Sequence, residues 1–508
     1  MIDTITSVSK ILFNEGIEIP LTGGTSSEEQ EYQPNADMVW ARQVCENDVQ
    51  DGFTGKFLIM LGDLSETTPL PILPKGAIKT SDGVYYTNDK SVVVTVTHTW
   101  DDTNARISES YQGRYNKVRW VISYSSDGIL NSQNTISNKA IYVCFSNINC
   151  KQALGNSLPH NLVECIEFIN NATLSGNTVK FSEAPVLKAI FFPNTSNLTS
   201  LFGAFTDNYN LKFISLSNTE NITSLQNAFK LCYSLEKVVL PNTKKVGSFA
   251  YAFQGCVNLK NVEFDTTNST ENTYMFSGCS LLEKANILTR TDDTTYYCDY
   301  IFNECVSLKE VSIDTSNARS LTYAFYKCMT LENLQKLNLK NISSLNNTFS
   351  SCYNLRKIEL ENTENLLNIT NMCYRCAYLE DVLGLNLINV TNASSAFGSC
   401  RSLKNLILKN IKISLALSDC PLSLDSLTNI IKELHDNTSG TSTKTLTVGT
   451  ANLSKLANVY VKLIDITDEM RAEDEYIDNK KPFVVCESTD EGAMLISEYV
   501  TSKNWQLK

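Results

Sequence analysis

The sequence predicts an α+β solenoid made of repeats of about 24 residues, each with one short strand and one short helix, preceded by a β-rich domain and closed by a cap. Three observations predict it. An aromatic slot recurs at Phe205, Phe229, Phe253, Phe276, Phe302, Phe325, Phe349, Cys373 and Phe397, in steps of 24, 24, 23, 26, 23, 24, 24 and 24 residues. Within one copy Leu235, Val238 and Leu240 suit a strand, with Val238 and Leu240 inward and Lys237 and Val239 outward. Leu225, Ala228, Phe229 and Cys232 stand at i, i+3, i+4 and i+7, the spacing of one apolar helical face. A single copy buries too few apolar side chains to offset the entropy of ordering its backbone, so the copies must stack. Stacked strands lie about 4.8 Å apart and packed helices about 8–10 Å apart, so the strand side is expected to be concave.

Residues 1–74 read as a mixed N-terminal segment and candidate attachment region, with a polar stretch at 22–31, a helix over 39–45, a strand over 56–61 and an extended run through Pro69, Pro71 and Pro74. Residues 75–155 form a small β-rich domain, its strands at 91–100, 117–124 and 139–145, placed to cover the first repeat. The repeats occupy 156–420, entering at Leu162, Ile166 and Phe168 and settling into register at Leu187, Ile190 and Phe192. Two copies carry extra residues, which makes Leu337/Leu339 and Leu385/Leu387 their inward strand pairs; the 26-residue step predicts a bulge over 289–298. An Asn column follows the strand at Asn194, Asn218, Asn242, Asn341, Asn362, Asn389 and Asn410, with a local turn-forming role. Residues 421–508 leave the register. Ser423 caps a helix that aligns Leu424, Leu427, Ile430, Ile431 and Leu434, a strand follows at 444–448, an acidic excursion spans 465–478, and a helix at 491–500 leads to a last edge at 505–507. Helix and strand still alternate there, as a terminal cap requires.

Composition narrows the chemistry. The chain has 508 residues, 42% of them hydrophobic, and a formal net charge of −12, which argues against a nucleic-acid partner. No apolar run approaches the roughly 20 residues of a membrane span, and the first ten residues lack the basic start and apolar core of an export signal. Of sixteen cysteines, Cys232, Cys256, Cys279, Cys305, Cys328, Cys352, Cys376 and Cys400 fill one core-facing column, the place of buried free thiols in a reducing compartment. Cys373 and Cys376 make a Cys-x-x-Cys only because two columns fall three residues apart, and no second pair at zinc spacing accompanies them. His98, His160 and His435 are the only histidines, each read as a surface or loop residue, so no catalytic triad, metal site or cofactor is expected.

Binding has more to work with. The slot before the column Ala holds Tyr251, Tyr274, Tyr300 and Tyr323 in succession; on a helix it points about 150° from the apolar stripe, forming a surface row on the convex side able to stack on sugar rings or engage a neighbouring subunit. On the strand face the outward slots hold Asn261, Glu263, Lys284, Asn286 and Glu310 in the middle copies and Phe191, Phe213 and Val239 in the first ones. The polar group is expected to meet a partner and the apolar group to lie under the N-terminal domain.

The phrase Leu-x-x-Val-x-Leu-Pro-Asn-Thr followed by Ala-Phe-x-x-Cys-x-x-Leu, clearest over 235–259, resembles the BspA-type leucine-rich repeat, over about half of the chain. That resemblance implies a leucine-rich-repeat solenoid with an adhesive or scaffold role and no fixed activity. The ending, 426–431, 442–449, 451–456 and 501–507, resembles the C-terminal segment of phage tail and minor structural proteins that carry such repeats, interrupted here after Leu456. It implies a non-enzymatic virion structural protein, a tail fibre or receptor-binding adhesin made in the host cytoplasm. Its partners would be other virion proteins and a bacterial surface glycan or surface protein, with homo-oligomers in the style of fibres. The alternatives are a bacterial cell-surface adhesin of the same repeat type and a polysaccharide-degrading virion enzyme.

Overall fold

The computed structural model describes residues 181–508, apart from 182, 183, 185, 193, 194, 241, 291 and 293, together with the backbone of the strands between Leu58 and Leu174. The helix expected over 39–45 lies outside the described residues. Strands at Leu58–Leu61, Val93–Trp100, Val118–Ser123 and Ala140–Ser146 fall where the β-rich runs predict them. Val118–Ser123 and Ala140–Ser146 pair in parallel with each other, and Ala140–Ser146 pairs in parallel with Cys165–Ile169. One sheet therefore holds strands from both sides of residue 155, and it continues through Ala189–Phe192, Phe213–Leu216 and Lys237–Val239.

The repeats wind into parallel coils around one core. Strands Asn261–Asp265, Lys284–Leu288 and Glu310–Ile313 pair in parallel in one block, and Leu337–Asn338, Lys357–Glu361, Asp381–Asn386 and Asn405–Lys409 in the next. The slot residues lie inside: Leu225, Ala228, Phe229 and Cys232 are all buried. Ring centroids of Phe205, Phe229, Phe253 and Phe276 follow one another at 5.2, 5.2 and 5.4 Å.

The half-repeat predicted as a helix is a chain of tight turns. Ala228 N–H bonds the Leu225 carbonyl and Cys232 N–H the Phe229 carbonyl, while Asn227 and Leu231 hold φ of 56° and 60°, which no α-helix tolerates. The remaining N–H groups of Leu225, Asn227, Phe229 and Leu231 bond the carbonyls of Ser248, Ala250, Ala252 and Gln254 one coil on. Tandem copies supply acceptors in register that an isolated helix would not meet. Both sides of the coil therefore advance at about a strand spacing, and the helix-based argument for a concave strand side does not hold.

Two polar columns tie the coils together. Each thiol of the column from Cys232 to Cys400 donates to the carbonyl of the aromatic-slot residue in the preceding coil, as in Cys232 Sγ to Phe205 O at 3.0 Å, Cys256 to Phe229 at 3.1 Å, Cys352 to Phe325 at 3.0 Å and Cys376 to Phe349 at 3.0 Å. Thr219, Thr243, Thr266, Thr289 and Thr315 donate their hydroxyls to carbonyls of the following coil at 2.7–3.0 Å. The expected single Asn column is two. Asn218, Asn362 and Asn410 occupy left-handed turn positions, with φ of 56°, 54° and 55°, whereas Asn341 and Asn389 reach across to the Ser316 and Glu364 carbonyls at 3.0 and 2.9 Å. In the copy read with Leu385 and Leu387 inward both side chains are buried, as is Val382; Val382 pairs with Leu406 and Leu385 with Leu408, and the extra residues are absorbed as a bulge. Gly384 occupies that bulge at φ +86°, where a Cβ would stand 2.0 Å from the Leu360 carbonyl oxygen.

The terminal module begins with helix α1, Leu424–Lys432, capped by Ser423 as predicted. Strand Lys444–Thr447 pairs in parallel with Leu415–Ala416 on one side and Trp505–Leu507 on the other. Three elements were not foreseen: helix α2, Thr450–Leu456; helix α3, Asp468–Glu473; and an antiparallel sheet of Tyr460–Leu463, Phe483–Cys486 and Met494–Leu495. The last helix, α4, spans Ile496–Ser502 rather than 491–500, because the 494–495 strand takes up its expected first turns.

Candidate binding surfaces of the solenoid

Tyr251, Tyr274, Tyr300 and Tyr323 form a half-buried row on the turn side, with centroids 4.8, 4.3 and 4.8 Å apart and planes within 8°. All four hold left-handed backbone, φ 55–58°, as do Gly203, Asn227, Asn347, Asn371 and Ser395 in the same slot. Turn geometry, not a helix, therefore turns the rings outward. Lys230 Nζ lies 5.4 Å from the Tyr251 ring centre at one end, and Tyr326 packs edge-on against Tyr323 at the other, 5.3 Å away. Both faces of Tyr274 and Tyr300 are thus occupied by neighbouring rings. The row presents ring edges and phenol hydroxyls, and the expected stacking of these two rings on sugars has no free face. Burial, reinforced by Tyr274, Tyr323 and Asp299, pushes the Tyr300 phenol up to about 12, so it remains a hydrogen-bond donor at neutral pH.

The strand-face residues form two cross-coil rows. Asn261, Lys284 and Glu310 stand side by side, as do Glu263 and Asn286. Lys284 Nζ is 2.8 Å from Glu310 Oε2, and Asn286 Nδ2 donates to Glu263 Oε1 at 3.2 Å. Each partner holds the other charged: the Glu310 carboxyl is lowered and the Lys284 ammonium raised. Phe191, Phe213 and Val239 are half-buried, with the two rings 5.3 Å apart.

The thiols are not a chemical site. The twelve described cysteines are free, and burial raises most of the column thiols far above their ordinary range. Cys373 and Cys376 sit in separate columns, and among the described residues no group of three or more His, Cys, Asp and Glu is placed to hold a metal ion.

His435, expected on the surface, is buried, its Nε2 3.3 Å from Asn410 Oδ1 and its carbonyl accepting from Trp505 Nε1 at 2.8 Å. Burial, then Lys412, Lys480 and Lys503, holds it down to about 4. Side chains of His98 and His160 lie outside the described residues. Beside His435, buried Lys480 bridges Glu433 at 2.5 Å and Asp474 at 2.6 Å, so part of the acidic excursion folds back onto the module. Lys503 is fully buried, donating to the Leu434 carbonyl at 2.7 Å under the Tyr499 ring, and burial lowers its ammonium to about 7. Charged residues this deep give little pattern in a sequence, since Lys480 and Glu433 stand 47 residues apart and Lys503 and Leu434 69.

The repeat geometry now has an external match. The model of the BspA type leucine-rich repeat region fits six copies, over 162–250, 225–344 and 295–420, which together reach half of the chain. The chain belongs to this family. Among solved structures, the BspA-type chain is similar to a leucine-rich cell surface protein of Faecalibacterium prausnitzii A2-165, at 18% identity over 64% of this chain and 95% of that one, with a TM-score of 0.35. It is similar to a leucine-rich repeat protein of Bacteroides ovatus ATCC 8483, at 16% identity over 62% and 88%, with a TM-score of 0.35. A third is the mouse RP105/MD-1 complex, at 14% identity over 65% and 69%, with a TM-score of 0.24. No curated protein matches the chain.

Proposed function

We propose that this BspA-type protein is an adhesin that meets its partner through the turn side of the solenoid, at the tyrosine row. The observation that carries the reading is the row itself. Four consecutive tyrosines occupy left-handed positions that cost an L-residue about 1–2 kcal/mol each, where Gly, Asn or Ser serves in the other coils. Left-handed turns recur along the solenoid, at Leu231, Glu304, Lys327 and Arg375 among others, so what sets this row apart is four aromatic side chains in a slot that small or polar residues fill elsewhere. The rings are locked by one another, so their hydroxyls are presented with little entropy left to lose on binding. The row suits an elongated hydrogen-bonding partner, a surface glycan or an extended protein segment. The strand-face group Asn261, Glu263, Lys284, Asn286 and Glu310 is the secondary surface, because its charges are already paired.

The narrower reading is a tail fibre or receptor-binding protein of a phage, supported by the resemblance of the ending to tail proteins. The rival is a bacterial cell-surface adhesin, supported by the family itself. Mass spectrometry of purified virions and of washed cell envelopes separates the two by where the chain is found. For the site, the quadruple Tyr→Asn variant uses a residue the slot already accepts, so the fold should survive. Binding of the full chain to intact host cells should fall to background; undiminished binding rejects the row as the contact. Release of short oligosaccharides from host capsule would replace adhesion with an enzymatic role.

A further inference from the structure

Between the thiol column and each strand the chain rounds a rim, and the residue seven positions after the aromatic slot lies there. It reads Lys212, Glu236, Lys260, Glu283 and Lys309 through five coils, and then Glu332, Arg356, Glu380 and Lys404. The sign alternates at every step, after an initial Lys188 in the same column. Backbone bonds place these residues in adjacent coils: Glu283 N–H to Lys260 O at 2.8 Å, Lys309 to Glu283 at 2.9 Å, Glu380 to Arg356 at 2.8 Å. Within the chain Glu283 pairs with Lys309 at 2.9 Å and Arg356 with Glu380 at 3.3 Å, with looser contacts from Lys212 to Glu236 and Lys404 to Glu380. Lys260 and Glu332 enter no ion pair among the described residues.

Alongside runs an apolar ridge, one or two residues beyond the thiol column. Tyr209 and Tyr233 stack at 5.2 Å and are both exposed. Val257, Leu281, Val306 and Met329 continue it, and exposed Tyr353 and Tyr378 end it. The order is therefore two tyrosines, four aliphatic side chains, two tyrosines. A purely internal charge ladder would not require that symmetry.

We infer that this rim is a self-complementary interface whose partner is a second copy of this chain, related by a two-fold axis passing between the coils of Glu283 and Lys309. A two-fold contact sets a patch against itself in reverse order. Counting outward from the axis, Glu283 faces Lys309 of the second copy, Lys260 faces Glu332, Glu236 faces Arg356 and Lys212 faces Glu380, opposite charges at all four; the outermost pair, Lys188 and Lys404, is of like charge. Lys260 and Glu332, which enter no ion pair among the described residues, meet each other. On the ridge, Leu281 meets Val306, Val257 meets Met329, Tyr233 meets Tyr353 and Tyr209 meets Tyr378. Shifting either copy by one coil sets like charges against each other from Lys212 to Arg356; a two-coil shift restores opposite charges but loses the tyrosine-to-tyrosine match of the ridge, so charge and ridge together specify the register.

Sedimentation equilibrium of the full chain tests the assignment. The expected result is a dimer at low ionic strength that weakens as salt screens the column. Val306→Lys at the axis and Lys309→Glu should each weaken it about tenfold or more, with unchanged circular dichroism. For the register, Lys260→Cys and Glu332→Cys chains should form an interchain disulfide when mixed, and neither should do so alone. A chain monomeric at every soluble concentration overturns the assignment. So does a dimer indifferent to both substitutions, or Lys260→Cys crosslinking to itself as readily as to Glu332→Cys.

Discussion

Replacing Tyr300 by glycine and by alanine separates the turn account from a helical one, because the two substitutions lose the same ring and differ only in backbone. Tyr300 stacks at 4.3 Å on Tyr274 and at 4.8 Å on Tyr323. Each such pair contributes about 0.5–1.5 kcal/mol, so either variant should lose about 1–3 kcal/mol. The backbone at 300 holds φ 57°. A Cβ there costs about 1–2 kcal/mol, against the roughly 0.4–1 kcal/mol by which glycine's freer unfolded chain penalises it. Tyr300→Gly should therefore be more stable than Tyr300→Ala by about 0.5–1 kcal/mol. In a helix the order would reverse by a similar amount. Urea unfolding of the full chain, followed by far-UV circular dichroism, gives the comparison from midpoints at constant slope. An alanine variant as stable as the glycine variant, or more so, would mean that residue 300 is not held in a left-handed turn.

Four further outcomes follow from named contacts. Asn272 takes a core slot filled elsewhere by Leu225, Leu321 and Leu345; its Oδ1 accepts from Ser269 but its buried Nδ2 has no partner, so Asn272→Leu should raise stability by about 1–2 kcal/mol in the same denaturation. Gly384→Ala drives a Cβ onto the Leu360 carbonyl and should cost about 2 kcal/mol or more, lowering the thermal midpoint. Lys503 titrates at about 7 when folded and near 10.5 when unfolded, so the unfolded chain binds the extra proton between those values and stability rises with pH across them. Lys503→Met should flatten that rise, which unfolding curves at pH 6 and pH 10 would measure; the full span is on the order of 5 kcal/mol. Finally, among the described thiols only Cys486 is partly exposed, so a thiol reagent applied to the native protein should label Cys486 and spare the core column until denaturant is added, as peptide mass spectrometry would show.

The period and the identity of the core slots were readable in the sequence because every coil repeats them, and Phe229, Phe253 and Cys256 are buried where the phrase puts them. The turn half was misread because Leu225, Ala228, Phe229 and Cys232 keep one spacing whether the chain is helical or folded in left-handed turns. What decides between them is the supply of carbonyls from the next coil, a property of the stack. The Asn columns merged for a related reason: Asn341 and Asn389 lie three residues beyond the turn slot of Asn218 and Asn362, and the extra residues in those copies hid the offset. The tyrosine row was visible, but not that its rings would cover one another. In the terminal module α2 went unseen, being seven residues long behind Gly449, which offers no side-chain cap. The alternating rim charges were in plain view, yet become a pattern only once Lys260, Glu283 and Lys309 are known to stand in adjacent coils.

The claim beneath all of this is that coils are hydrogen-bonded to one another on the turn side as well as on the strand side. Residue-resolved hydrogen exchange of the native chain measures it directly. The amides of Asn227, Phe229 and Leu231, and of Tyr251, Phe253 and Gly255 in the next coil, should exchange as slowly as those of the strand residues Val262 and Phe264. Rapid exchange at these turn amides beside protected strands would contradict the account.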